Sequence, residues 1–249
     1  MTDVLVAGPS RAAPPSSTAR LRRVTAVVCF LLVAFFLAAF AVLSSAIDWP
    51  ASLDLPAAEA LPLVAAEESG ILLGYSFYLA FSLGIASLAV LLPRAYGWRP
   101  GAIVTLVVVA GALSAAFRAI GIGRWLLAMP ALADGYLAAA PGSASREAAV
   151  VVHTTLNDYL GGVGEVLGVS LTGAAFAALA SIALLRHGGP QWLAILGLVT
   201  AATLVLAAFS EVFLTVGPTL LLGWLIALGG HLLRVPPPGV RTGTAVTGS

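Results

Sequence analysis

The residues of this sequence most able to do chemistry are ionisable side chains set inside or at the edge of long apolar runs. Arg118, Glu165 and Glu211 stand in three such runs, with Arg124, Asn157 and Asp158 close by in sequence. A charge at membrane depth is expensive and usually faces a bundle interior, where it marks a site, a pathway or an ion pair. Carboxylates there could act as general acid and base, and a guanidinium could hold an anionic group. His153, Asn157, Gly161 and Glu165 recur every four residues and share one helical face if the helix starts that early. Gly164, Gly168 and Thr172 form a neighbouring stripe of small residues that lets another backbone approach closely. Three readings follow: an ion-paired clamp between helices, a ligand or ion site, or charged side chains reaching for the headgroups.

Much other chemistry is excluded. All 12 basic residues are Arg, so neither a Schiff-base lysine nor a phosphate-binding Walker lysine exists. The single cysteine, Cys29, forms no internal disulfide and no Cys-rich metal site, and reads as a small apolar filler. A bis-histidine haem needs two ligands at one depth inside the bundle. Only His187 and His231 share a side, and His187 sits beside Gly188-Gly189-Pro190, so the three histidines read as solvated or headgroup-facing. No His-Glu-x-x-His or Gly-x-Ser-x-Gly motif occurs, and Gly121-x-Gly123 is too little for a dinucleotide site. Neither a catalytic residue, a metal ligand nor a cofactor is assigned.

The elements that must position these residues are membrane helices. Of the 249 residues 60% are hydrophobic and only 9% charged, with a mean hydropathy of +1.03. Soluble domains carry about 25% charged residues. The net charge of +1 also excludes a strongly basic nucleic-acid surface. About 20 apolar residues span a bilayer as a helix. Six stretches qualify: Val24–Ile47, Gly70–Leu92, Gly101–Ile122, Gly161–Leu185, Trp192–Phe213 and Pro218–Leu233. Ser44-Ser45-Ala46 resembles a signal-cleavage site, but signal-peptide apolar cores run about 7–15 residues, shorter than the first stretch. Residues 1–23 and 235–249 read as disordered tails around a 24–234 transmembrane domain.

Arginine distribution orients the bundle. With six spans, one side carries Arg11, Arg20, Arg22, Arg23, Arg94, Arg99, Arg186, Arg234 and Arg241, against one acid, Asp3. The positive-inside rule makes that side cytoplasmic, placing both termini there and the protein in a cell (inner) membrane. At 1.5 Å per helical residue, Arg118 lies about 26 Å, Glu211 about 28 Å and Glu165 about 30 Å from the cytoplasmic boundary. Three charges thus share the outer edge of the hydrocarbon, and Arg118 is expected within reach of Glu165 or Glu211. Residues 48–69, with Asp48, Asp54, Glu59, Glu67 and Glu68, read as a solvated acidic loop. Residues 125–147, interrupted by Pro130, read as an interfacial or re-entrant segment with Trp125 and Tyr136 at headgroup level.

The run Asn157-Asp158-Tyr159-Leu160-Gly161-Gly162-Val163-Gly164-Glu165-Val166-Leu167-Gly168 carries a resemblance. With Arg124-Trp125-Leu126 through Pro130 and the Pro190-Gln191-Trp192-Leu193 opening, it resembles a bacterial membrane family catalogued as domain of unknown function 4386, over roughly residues 24–234. The resemblance implies a six-helix bundle and no particular activity. Where such proteins often place His after the Gly-Glu pair, this chain has Val166, which weakens a metal or proton-relay role there.

The reading is an all-α bundle of six transmembrane helices whose partners are the lipid bilayer and a small ligand or a membrane partner protein. The leading function is non-enzymatic: binding, sensing or transporting a small ligand, lipid headgroup or ion at an outer-leaflet site built from Arg118, Arg124, Asn157, Asp158, Glu165 and Glu211. The alternatives are an intramembrane enzyme using Glu165 or Glu211 as acid/base and a purely structural partner subunit.

Overall fold

The computed structural model describes residues 17–234, without the side chains at 211, 212 and 214. Residues 1–16 and 235–249 of the expected tails, and the Glu211 side chain, lie outside the described residues. The first helix, α1 (Ser17–Ile47), begins earlier than hydropathy alone suggests. Its opening Ala-Arg-Leu-Arg-Arg is rich in good helix formers. Arg22 is buried and its Nε donates to Leu232 O at 3.4 Å.

The acidic segment that read as a loop is largely structured. A 3-10 turn (Ala51–Asp54) leads into α2 (Ala57–Ala66). Ala57, Ala60, Leu61 and Val64 recur at helical spacing and are buried, while Asp54, Glu59, Glu67 and Glu68 stay exposed. α3 (Glu68–Tyr96) ends at Gly97, whose φ of +67° suits glycine, with the Trp98 N–H donating to Pro93 O at 2.9 Å. α4 (Ala102–Gly123) continues through a π-helical turn, Arg124–Ala128, into α5 (Met129–Ala138). Pro130 therefore does not break the chain. It falls in the first turn of α5, where its missing N–H costs little, and the wide turn before it gives the ring room.

Ser143 caps α6 (Ala144–Gly162) by accepting from the Arg146 N–H at 3.3 Å. A nine-residue π-helical stretch, Val163–Leu171, joins α6 to α7 (Thr172–Arg186). α8 (Gln191–Leu206) stops short of the expected Phe213, tightening through i→i+3 bonds from Ala208 and Phe209. Ser210 and Glu211, residue types that favour helix starts, then open α9 (Glu211–Arg234). Glu211 thus begins the last helix instead of closing the fifth one.

Helices α1, α3, α4, α7, α8 and α9 pack in a ring in which each touches the next and α9 returns to α1. Among the described residues, five stretches are long and apolar enough to cross a membrane: Ser17–Ile47, Glu68–Tyr96, Ala102–Ala138, Ala144–Arg186 and Thr215–Arg234. Gln191–Leu206 is a shorter apolar helix of 16 residues. One apolar core fills the ring around Phe81, Phe176 and Trp224, and the Trp224 indole donates to Leu193 O at 3.2 Å. A second core lies under a cap made by α2, α5 and α6, which pack on one another. Trp125 and Tyr136 belong to that cap core, 3% and 5% exposed, so both rings pack inside the protein. Burial is favoured because Trp125 stacks on Tyr75 and Tyr136 lies under the Arg146 guanidinium.

Of the three histidines, His153 departs from the solvated reading, while His187 is exposed. His187 stacks on Trp98, Trp98 on Tyr96, and Tyr96 on His231, a four-ring ladder at the end of the ring where Arg22 meets Leu232. His153 is buried in the cap region with neither ring nitrogen hydrogen-bonded among the described residues.

Candidate functional site

α4 and the Val163–Leu171 stretch run antiparallel, and glycines set how closely they meet. A Cβ at Gly121 would lie 2.7 Å from Gly164 Cα, and one at Gly168 would lie 2.9 Å from the backbone N of Arg118. A Cβ at Gly161 would lie 2.9 Å from the Arg124 guanidinium. The register therefore sets Arg118 against Gly168 and Arg124 against Gly161. The small-residue face read from sequence is an interhelical contact of this kind.

That register decides which charges meet. The Arg124 guanidinium lies 3.7 Å from Glu165, and among the described residues this is the ion pair at the site. Arg118 is not paired with Glu165, and the side chain of its other expected partner, Glu211, lies outside the described residues. Its Nε donates to Gly168 O at 3.4 Å, a carbonyl that also accepts from Ser114 Oγ at 2.7 Å. The remaining support for its charge is the face of Phe81, 5.4 Å from the guanidinium carbon. Glu165 has a side chain 54% exposed, yet like Gly161 it lies against the Arg124 guanidinium, so the two keep one side across the wider turn.

Beneath the cap, these residues line a cavity of about 400 Å³. Arg118 and Arg124, only 4% and 5% exposed, enter its wall together with Glu165 and Ser170. Aromatic rings from Trp49, Tyr75, Tyr78 and Trp125 form much of the rest. Tyr75 stacks on Trp125 at 5.1 Å, and among the described residues its buried hydroxyl finds no acceptor for its proton, nor does Arg124 Nε. At 3.7 Å the Arg124 contact with Glu165 is longer than the roughly 2.7–3.2 Å of a good hydrogen bond. Among the described side chains the cavity wall therefore holds two guanidiniums and one carboxylate.

The other sequence candidates separate. Asn157 pins the cap by donating to Leu53 O at 2.9 Å, while Asp158 is exposed. Glu211's side chain lies outside the described residues. Tyr75, Tyr78, Trp49 and Trp125 were not singled out from sequence as site residues. Nothing in their spacing distinguishes a cavity wall from an interfacial aromatic belt.

No curated protein and no solved structure matches the chain. A family model does match, over residues 24–234, and covers the ring helices, the cap and every residue of the cavity. The chain therefore belongs to the family described as domain of unknown function 4386.

Proposed function

We propose that the protein is a non-enzymatic membrane bundle that binds a small anionic ligand in the Arg118–Arg124 cavity. The observation that carries this reading is the pair of buried guanidiniums at an aromatic-walled cavity, with one carboxylate beside Arg124 and none paired with Arg118 among the described residues. A buried charge lacking a counter-ion is costly, and an arriving oxyanion removes that cost while satisfying guanidinium donors bidentately. Ligand sites in helix bundles commonly lie between helices, in cavities of about 300–1,000 Å³. In nonionic detergent, octanoate or inorganic phosphate should raise the unfolding midpoint of the full chain, whereas octylammonium should not. Equal responses to anion and cation would refute the reading.

The proposal includes six spans with both termini in the cytoplasm of a cell membrane. Its support is that Arg22, near the start of α1, meets Leu232, near the end of α9, so the ring's first and last helices begin and end together. An even number of crossings satisfies that, with α8 counted at about 24 Å from its 16 residues. In a Cys29→Ser chain, Glu59→Cys should react with an impermeant maleimide in intact cells, and Arg99→Cys only after permeabilisation. Labelling of Arg99→Cys from outside would overturn the topology.

A further inference from the structure

We propose that the occupant of this cavity is an amphiphile: a singly charged oxyanion, carboxylate or phosphodiester, on an apolar body that enters sideways from the bilayer. The proposal rests on the anion-site reading above and adds the ligand's class and its route.

Charge sets the headgroup. Among the described side chains of the wall, two guanidiniums face one carboxylate, leaving a single positive charge in excess. A monoanion balances it, and a guanidinium fork fits the two oxygens of either a carboxylate or a phosphodiester. The unused Tyr75 hydroxyl supplies a further donor at the same cavity.

Polarity of the remaining wall sets the body. Phe36, Ile122, Val169, Ala207 and Pro218 offer a ligand no hydrogen-bonding side chain, so the polar groups are few against a mostly apolar lining. A compact hydrophilic anion would leave that lining wetted, and water in contact with apolar wall is unfavourable. An apolar chain attached to the anion fills it and displaces that water.

Exposure sets the route. Val166 on the π stretch and Thr215 and Thr219 on α9 line the cavity and are exposed, and among the described residues the π stretch and α9 do not pack closely on each other. The cavity is thus not sealed by packing between these two elements, and both belong to stretches long and apolar enough to cross the membrane. An opening there faces lipid. The π-helical turns sit beside it, on both walls that carry charge: Arg124 starts one and Glu165 lies in the other. Such turns are rare and are found frequently at functional sites.

The test uses the full chain in phosphatidylcholine nanodiscs, with a dibrominated undecanoate as quencher of Trp49 and Trp125, which line the cavity. A Trp192→Phe background removes an indole that is exposed on α8. Quenching should saturate, and should fall by at least half when either Trp125→Phe or Trp49→Phe is introduced. Unbrominated undecanoate should displace the probe at tenfold or more lower concentration than undecanol, and acetate in large excess should not displace it. Displacement by phosphatidylglycerol in the disc would support the proposal and identify a membrane lipid as the source. Displacement by undecanoate alone would support it with a free amphiphile as the source. If acetate competes as well as undecanoate, the amphiphile proposal falls while the anion-site reading stands. If undecanol competes as well as undecanoate, charge is not read and both fall. Saturable quenching that survives loss of both Trp49 and Trp125 would place the ligand elsewhere and overturn the proposal.

Discussion

Gly168→Leu is expected to destabilise the bundle by about 3 kcal/mol, at the upper end of ordinary overpacking. The position has no slack, because even a Cβ there would lie 2.9 Å from both Cγ and the backbone N of Arg118 and 3.3 Å from Phe117 C. Backbone cannot rotate away as a flexible side-chain tip can, so α4 and the π stretch must separate. Separation would also cost the bonds that Ser114 and Arg118 make to the Gly168 carbonyl. A matched control isolates this contact from helix propensity. Gly162 has nothing within 4 Å of an added Cβ, so Gly162→Ala should be neutral or stabilising by up to about 1 kcal/mol. Thermal melts of both variants in one detergent check the prediction. If Gly168→Leu melts with the wild type, α4 does not meet this face.

Hydropathy and periodicity made the membrane helices legible because burial in lipid leaves a long, uninterrupted apolar signal in each of them. The glycine face at 164 and 168 was legible for a related reason: close backbone approach demands residues without side chains. The cap was not. α2 is only 10 residues long and studded with prolines and acids in and around it, and its buried face becomes apparent only when α5 is opposite. The π turns left no sequence trace either. Spacing by four marks one face of an α-helix, and a widened turn shifts the later residues off it without changing their order. Glu165 nonetheless keeps Gly161's side, since both lie against Arg124 at the cavity. The break after Leu206 contains neither Gly nor Pro, so the fifth helix read as longer than it is and Glu211 was assigned to it.

The charged level of the site was legible, since Arg118, Arg124 and Glu165 all line the cavity. Their pairing was not. Depth along single helices fixes height to within about a turn, whereas pairing depends on the register between two helices. The Gly121–Gly164 contact sets that register and moves the carboxylate to Arg124. These aromatic residues of the wall come from three separate places in the chain, with Trp49 in the turn after α1, Tyr75 and Tyr78 on α3 and Trp125 at the π turn. Only the closed ring brings them together.

Arg118→Gln and Glu165→Gln should move anion binding in opposite directions, which separates a ligand site from a structural clamp. Arg118 is almost wholly buried and faces no carboxylate among the described residues. Losing its charge removes the attraction while keeping an amide that can still donate, so octanoate affinity should fall tenfold or more, about 1.4 kcal/mol. Glu165, by contrast, competes with the ligand for Arg124. Its carboxylate sits 3.7 Å from a guanidinium that is itself buried, so losing it leaves Arg124 without that counter-ion in the empty protein. Glu165→Gln should therefore lower the melting midpoint of the ligand-free protein, and saturating octanoate should restore it. It should also tighten octanoate binding severalfold, since Arg124 is freed and the excess positive charge rises by one. A clamp predicts the same loss in the empty protein with no rescue by octanoate and no gain in affinity. Titration calorimetry with octanoate on the two variants and wild type, alongside their melts, decides it. Weaker binding in Glu165→Gln than in wild type would remove the anion-site reading.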